Sequence, residues 1–176
     1  MIFCQLSKCF AGLISVAAFG FVTGVAQAEQ EVWKTCSTPK TQYVLQIPGS
    51  LVRSSDPGVT GCTYQSPDGE FTVEAVEQPS GGGPDQSVDA RMQKEISVMG
   101  GTVAEQEKGA NWFALSGMTR DGTEFYRIHF TNGALWVSLR ITYPHAKAKK
   151  YDKWLSKIEK SFVPFAKQER TEGTER

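Results

Sequence analysis

The stretch NWFALSGMTRDGTEFYRIHFTNGALWVSLRITY, residues 111–143, decides the fold. Two turn dipeptides, Asp121-Gly122 and Asn132-Gly133, divide it into three strands of similar length. Both dipeptides favour two-residue hairpin loops with positive φ, and a loop of fixed length fixes the register of its strands. Phe130 is then expected opposite Leu135, Ile128 opposite Val137, Leu115 opposite Ile128 and Phe113 opposite Phe130. On that register Phe113, Leu115, Tyr126, Ile128, Phe130, Leu135, Val137, Leu139 and Ile141 share one face, because side chains alternate along a strand. Burying each large one contributes about 1.5–3 kcal/mol. The opposite face is mixed: Trp112, Ala114, Ser116, Met118, Phe125, Arg127, His129, Trp136, Ser138 and Arg140.

Working outward, Tyr43–Ile47 alternates and ends at Pro48-Gly49, and Thr60–Gln65 and Phe71–Glu77 alternate on either side of Ser66-Pro67-Asp68-Gly69. There Pro presets φ and Gly supplies a positive φ, so a hairpin is expected. After a loop at Pro79–Pro84, Val88, Met92, Ile96 and Met99 recur at helical spacing, with Asp85 or Ser87 to cap the helix and Gly100-Gly101 to stop it. Thr102–Glu107 reads as a polar edge strand. Beyond Pro144 a second helix runs to about Ser161, with Tyr151, Trp154, Leu155, Ile158 and Phe162 on one stripe. Ala114 and Ser116 are small enough to make room for it. The tail, residues 168–176, lacks apolar side chains and is expected to be disordered.

Residues 1–28 have the parts of a secretory signal: Lys8 in a short head, an apolar run from Phe10 to Val22, and small residues Ala26 and Ala28 before the cut. The run is too short to span a hydrocarbon core of roughly 30 Å, and no basic stop-transfer cluster follows. Cleavage after Ala28 leaves a single α+β domain, residues 29–167, with its tail, in the periplasm or outside the cell, and not spanning a membrane. Cys4 and Cys9 go with the signal. Cys36 and Cys62 remain, and in an oxidising compartment they are expected to form one disulfide. The competing readings are two buried thiols, or a metal site for which two ligands are too few.

The ordering of these elements, Tyr43-Val44-Leu45-Gln46-Ile47-Pro48 near the start, the hairpin at Pro67-Asp68-Gly69, the helix before Gly100-Gly101 and the strand and helix from Leu135 to Phe162, resembles the PsbP-like superfamily. That superfamily takes in the thylakoid-lumen PsbP proteins of photosystem II, the Ran-binding Mog proteins and exported bacterial proteins. The resemblance implies an α+β fold in which a central antiparallel sheet is flanked by two main helices, an α/β/α sandwich. It also implies a binding or assembly role without catalysis, and it carries no site residue onto this chain.

The chemistry-bearing residues are few. The chain has two histidines, His129 and His145, and neither has a partner at metal-ligand spacing, so no metal or other cofactor is expected. No nucleophile-elbow pattern is present. The Gly81-Gly82-Gly83 loop precedes a helix but lacks the Lys-Ser/Thr of a nucleotide-binding loop, and reads as a connector. The mixed sheet face is the candidate site. The register sets His129 across from Trp136, Arg127 across from Ser138 and Phe125 across from Arg140. Arg127, His129, Trp136 and Arg140 can there hold a small anionic or aromatic ligand through charge-assisted hydrogen bonds and cation–π contacts, unless the second helix covers them. Lys+Arg and Asp+Glu total 19 each, and this balance fits nucleic acid poorly. Charge is nonetheless segregated, since the closing helix is rich in lysine. Its basic face can meet an acidic protein or anionic lipid, or simply be solvated. The leading expectation is an exported, non-catalytic module that binds an envelope protein partner or a small anion. The alternatives are a secreted hydrolase using His129 with Ser116 or Ser138, and a structural envelope protein.

Overall fold

A computed structural model describes residues 31–37, 43–54, 61–81 and 87–166. The signal segment 1–28, Thr60, most of the glycine-rich loop and the tail 168–176 lie outside the described residues. The strands are β1 (Trp33–Cys36), β2 (Tyr43–Pro48), β3 (Val52–Arg53), β4 (Gly61–Gln65), β5 (Thr72–Pro79), β6 (Gly101–Lys108), β7 (Trp112–Thr119), β8 (Thr123–Thr131), β9 (Leu135–Pro144) and β10 (Val163–Pro164); the helices are α1 (Val88–Val98) and α2 (Ala148–Ser161). A seven-stranded sheet has the order β3-β4-β5-β9-β8-β7-β6, and a three-stranded sheet the order β1-β2-β10. All pairings are antiparallel.

The helices end where local chemistry dictates. Ser87 caps α1 by accepting the Ala90 N–H at 3.1 Å, and Gly100, at φ +63°, turns the chain into β6. A single 3₁₀ turn at His145–Lys147 leads from β9 into α2.

Both central hairpins depart from the expected register. Asp121 keeps a negative φ, because its carboxylate is held by the Thr119 hydroxyl and by the Thr123 N–H at 3.3 Å, and Gly122 alone turns left-handed at φ +83°. The Gly122 N–H closes on the Thr119 carbonyl at 3.1 Å. The loop is therefore Arg120-Asp121-Gly122, one residue longer than a two-residue turn. The β7–β8 pairs become Phe113↔His129, Ala114↔Ile128 and Leu115↔Arg127. That shift of one moves Phe113 and Leu115 to the face of His129, correcting the expectation that all nine apolar residues share a side. At the second turn the Asn132 side-chain oxygen accepts the Ala134 and Leu135 N–H groups at 3.0 and 2.9 Å. This widens the loop to 132–135, with Thr131↔Trp136, Phe130↔Val137 and Ile128↔Leu139. A shift of two preserves the faces but corrects the partners: His129 faces Ser138, Arg127 faces Arg140 and Phe125 faces Thr142.

Two cores result. Val137, Leu139 and Ile141 of β9 and Val73 of β5 cluster with Tyr43, Leu45 and Ile47 of β2 and with Tyr151 and Ile158 of α2. Phe113, Leu115, Phe125 and Trp136 cluster with Met92, Ile96 and Met99 around α1. Tyr43 and a disulfide help tie the small sheet to the large one. The Tyr43 hydroxyl donates to the Ala75 carbonyl at 2.7 Å and accepts the Cys62 N–H at 2.9 Å. Burial pushes its pKa up to about 12, despite the opposing Cys62 hydrogen bond. The Cys36–Cys62 disulfide joins β1 to β4 across a separation of 26 residues.

Closing a loop of that length constrains the unfolded chain by about 3–4 kcal/mol on the chain-entropy model. The double substitution Cys36→Ala with Cys62→Ala is expected to lower unfolding stability by that amount in urea titrations. An unchanged midpoint would show that the bridge adds no constraint.

Candidate functional site

Two places on the seven-stranded sheet gather polar chemistry. The first is the face next to α1, which brings together all four residues singled out from the sequence. His129 and Trp136 have essentially no exposed surface. The His129 ring stacks on Phe113 with centroids 4.5 Å apart, and its Nδ1 lies 2.7 Å from Ser138 Oγ. Burial, and next the nearby charges of Arg140, Arg91 and Arg127, pull its pKa down to about 3, so it is neutral in the folded protein. Arg127 and Arg140 lie side by side with side chains about a quarter exposed, and converge on Glu95 of α1: Arg127 Nη1 donates to Glu95 at 2.8 Å and Arg140 Nη2 lies 3.8 Å from it. Arg91 approaches the same carboxylate at 3.6 Å, and Arg140 also donates to Glu74 at 3.3 Å. A nearly buried carboxylate ringed by three guanidiniums is compensated in charge. The Nε atoms of Arg91, Arg127 and Arg140 and the Nε2 of His129 are buried without a hydrogen-bond partner among the described residues.

Sequence reasoning did not foresee Glu95. It occupies the apolar side of α1, between Met92 and Met99, and an acidic residue on that side is the one signal that pointed to the arginines. The proposed nucleophiles separate. Ser138 is sealed with His129, while Ser116 lies across from Tyr126 on the other face of the sheet. The second correction follows from the one-residue register shift.

The second place is a groove of about 460 Å³ between α2 and β6–β7. It is lined by Thr102 and Ala104 of β6, by Ser116, Gly117 and Met118 of β7, by Glu124, Phe125 and Tyr126 of β8, by Tyr143 and His145, and by Leu155 and Glu159 of α2. A hollow of about 280 Å³ shares Ser116, Tyr126 and Glu159 with it and runs on to Glu105 and Glu107. Tyr126 donates to Glu159 at 2.8 Å and Tyr143 donates to Glu124 at 2.7 Å. Burial first, and then the acceptor carboxylates, raise both phenols well above the ordinary tyrosine range, so both stay neutral donors. Burial alone would raise Glu124, but hydrogen bonds from His145 and Tyr143 outweigh it and keep its carboxyl below the usual value. Ala114 and Ser116 were expected to admit the closing helix; they line this gap beside it instead. No sequence motif marks the groove, because it is assembled from five separated segments.

The lysines of the 3₁₀ turn and of α2 are partly committed within the protein. Lys147 pairs with Glu70, Lys150 lies 3.7 Å from Asp68, and Lys157 sits 4.1 Å above the Trp33 ring. Among the described residues no helix is long and apolar enough to cross a membrane.

With this geometry in hand, the chain is similar to cyanobacterial PsbP (CyanoP) from Synechocystis sp. PCC 6803, with a TM-score of 0.53 and 9% identity over 82% of this chain and 99% of that one. It also aligns with a protein from Bacteroides thetaiotaomicron VPI-5482 at a TM-score of 0.45 and 12% identity, over 73% of this chain and 47% of that one. No protein-family model and no curated protein matches. The fold is PsbP-like, as Tyr43–Pro48 and the elements after it implied, and at such low identity the likeness defines the architecture alone.

Neutral His129 gives stability a particular pH dependence. An unfolded histidine binds a proton near pH 6.5, whereas the folded one does so only near pH 3. Between those values acid favours unfolding, so stability falls with pH by about 1.4 kcal/mol per unit from this one group. Urea titrations from pH 7.5 to 4 are expected to show a steeper loss for the native protein than for His129→Gln. Parallel curves would refute the buried neutral imidazole.

Proposed function

We propose that this protein is an exported, non-catalytic module of α/β/α sandwich architecture that recognises a partner protein through the groove between α2 and β6–β7. One observation carries the reading: an open, mostly apolar hollow of about 460 Å³ with a few convergent polar groups, the form that binding sites take. Export is supported by the signal-like segment at residues 1–28 and by the Cys36–Cys62 bridge, which is compatible with an oxidising compartment. The non-catalytic reading draws support from the PsbP-like fold and from the seclusion of His129 and Ser138, which substrate cannot reach.

A photo-crosslinking amino acid placed at Thr102 or Met118 in the producing bacterium is expected to trap one discrete partner. The same probe at Val98, exposed on α1, is expected to trap none. Equal trapping from all three positions, or none from the groove, would overturn the proposal.

A small anion at Arg127 and Arg140 is the second reading, favoured by the three arginine Nε–H groups that have no acceptor among the described residues. Inorganic phosphate is then expected to shift the arginine Nε–H resonances of the native protein but not those of Arg127→Ala with Arg140→Ala. Resonances unmoved by phosphate would remove it.

A further inference from the structure

Strand β6 ends the seven-stranded sheet, and among the described residues nothing pairs with its outer side. It is eight residues long, and every residue but Val103 is exposed. The opposite edge, β3, has two residues and is too short to template anything. A long open edge presents a row of unpaired N–H and C=O groups, which natural proteins cover, blunt or use. β6 is irregular at one point: the register shifts between Val103 and Glu105, leaving Ala104 as an unpaired bulge. From Glu105 to Lys108 pairing with β7 is continuous, so the outer groups of that run keep regular strand spacing.

The edge and the groove are contiguous. Thr102 and Ala104 of β6 form the groove's outer lip, and Glu105 and Glu107 border the adjoining hollow. A strand added beside β6 would lie about 4.8 Å away, with every second side chain on the groove face. Ala104 is too small to obstruct a long side chain crossing that lip. The chemistry of the surface selects the side chains. Glu105, Glu107, Glu124 and Glu159 line the two hollows, and no lysine or arginine does. Glu105 accepts only a 3.4 Å contact from Ser116, and neither Glu105 nor Glu107 is in an ion pair among the described residues. A second copy of this chain fits poorly, since antiparallel edge-to-edge pairing centred on Gln106 would set Glu105 against Glu107 of the other copy and bring two acidic edges together.

We infer that β6 accepts an extended segment of the partner protein by strand addition, and that this segment alternates apolar residues with lysine or arginine over the groove face. The inference rests on the groove reading above and specifies how the partner is held: main-chain hydrogen bonds to β6 supply affinity, and the acidic groove selects side chains.

The test uses the purified protein and a labelled ten-residue peptide of alternating lysine and valine. Fluorescence anisotropy is expected to show saturable binding, at least tenfold weaker for a glutamate–valine peptide and at least tenfold weaker for Glu105→Lys with Glu107→Lys. Both substituted positions are exposed, and an unchanged melting temperature would confirm that the variant folds. Two further lysine–valine peptides carry backbone N-methyl groups on odd or on even residues. Only one edge of the added strand can face β6, so one peptide is expected to lose binding at least tenfold and the other to keep it. Equal binding by the two N-methyl peptides would overturn strand addition while leaving groove recognition standing if crosslinks from Thr102 and Met118 persist. Absence of those crosslinks would remove both. A concentration-dependent dimer that the peptide cannot dissociate would assign the edge to a second copy and overturn the inference.

Discussion

Everything in the seven-stranded sheet depends on the parity imposed by the loop Arg120-Asp121-Gly122. Its three residues set Phe113 beside His129 and Ala114 beside Ile128. Alternation then carries that choice along all eight residues of β7. Phe113 and Leu115 join Phe125 and Trp136 around α1, while Val137, Leu139 and Ile141 join Tyr43, Leu45 and Tyr151 around α2. A two-residue loop would bury a wider apolar surface on the α2 side and leave Met92, Ile96 and Met99 without Phe113 and Leu115. The loop is held by side-chain chemistry: the Asp121 carboxylate, bonded to the Thr119 hydroxyl and the Thr123 N–H, keeps its own residue at negative φ and leaves the left-handed turn to Gly122.

The same parity explains why a layer of charge survives beneath α1. Arg127 and Arg140 are neighbours on β8 and β9, and two adjacent guanidiniums repel unless an anion lies between them. Glu95 supplies that anion from the helix, and Glu74 supplies another from β5. The cost of bringing Glu95 out of water is offset by three cationic neighbours, and the arrangement locks α1 over one part of the sheet. Burial, and next the charges of those arginines, hold His129 neutral within this layer.

On the α2 side the closing helix covers the middle of the sheet but not its last two strands. Small side chains at Ala104, Ser116 and Gly117 keep that margin low. At Gly117 a Cβ would come within 2.1 Å of the Thr102 carbonyl oxygen, so the close approach of β6 and β7 there requires glycine. The groove is thus a consequence of how far a helix of fourteen residues reaches, combined with a floor that has nothing large to fill it. Its polar groups, Tyr126 with Glu159 and Tyr143 with Glu124, satisfy one another, while Glu105 and Glu107 of β6 border the adjoining hollow.

Much of this was legible in residue order. The strands from Tyr43, Gly61 and Thr72, the helix capped by Ser87, the amphipathic stripe from Tyr151 to Phe162, the edge character of β6 and the pairing of Cys36 with Cys62 all follow from periodicity, turn residues and cysteine count, which act over a few neighbouring positions or by elimination. Arg127 with His129, and Trp136 with Arg140, share a face by parity within a strand, and the two pairs meet on one face because the wider second loop shifts the register by an even number of residues. Loop length was not legible, because Asp-Gly serves two-residue and three-residue turns alike, and the choice falls to side-chain bonds and to whether a helix awaits on either face. The role of Glu95 and the existence of the groove were decided by tertiary structure alone: each joins segments far apart in the chain, and no spacing rule relates residues that meet only when packed sheets and helices bring them together.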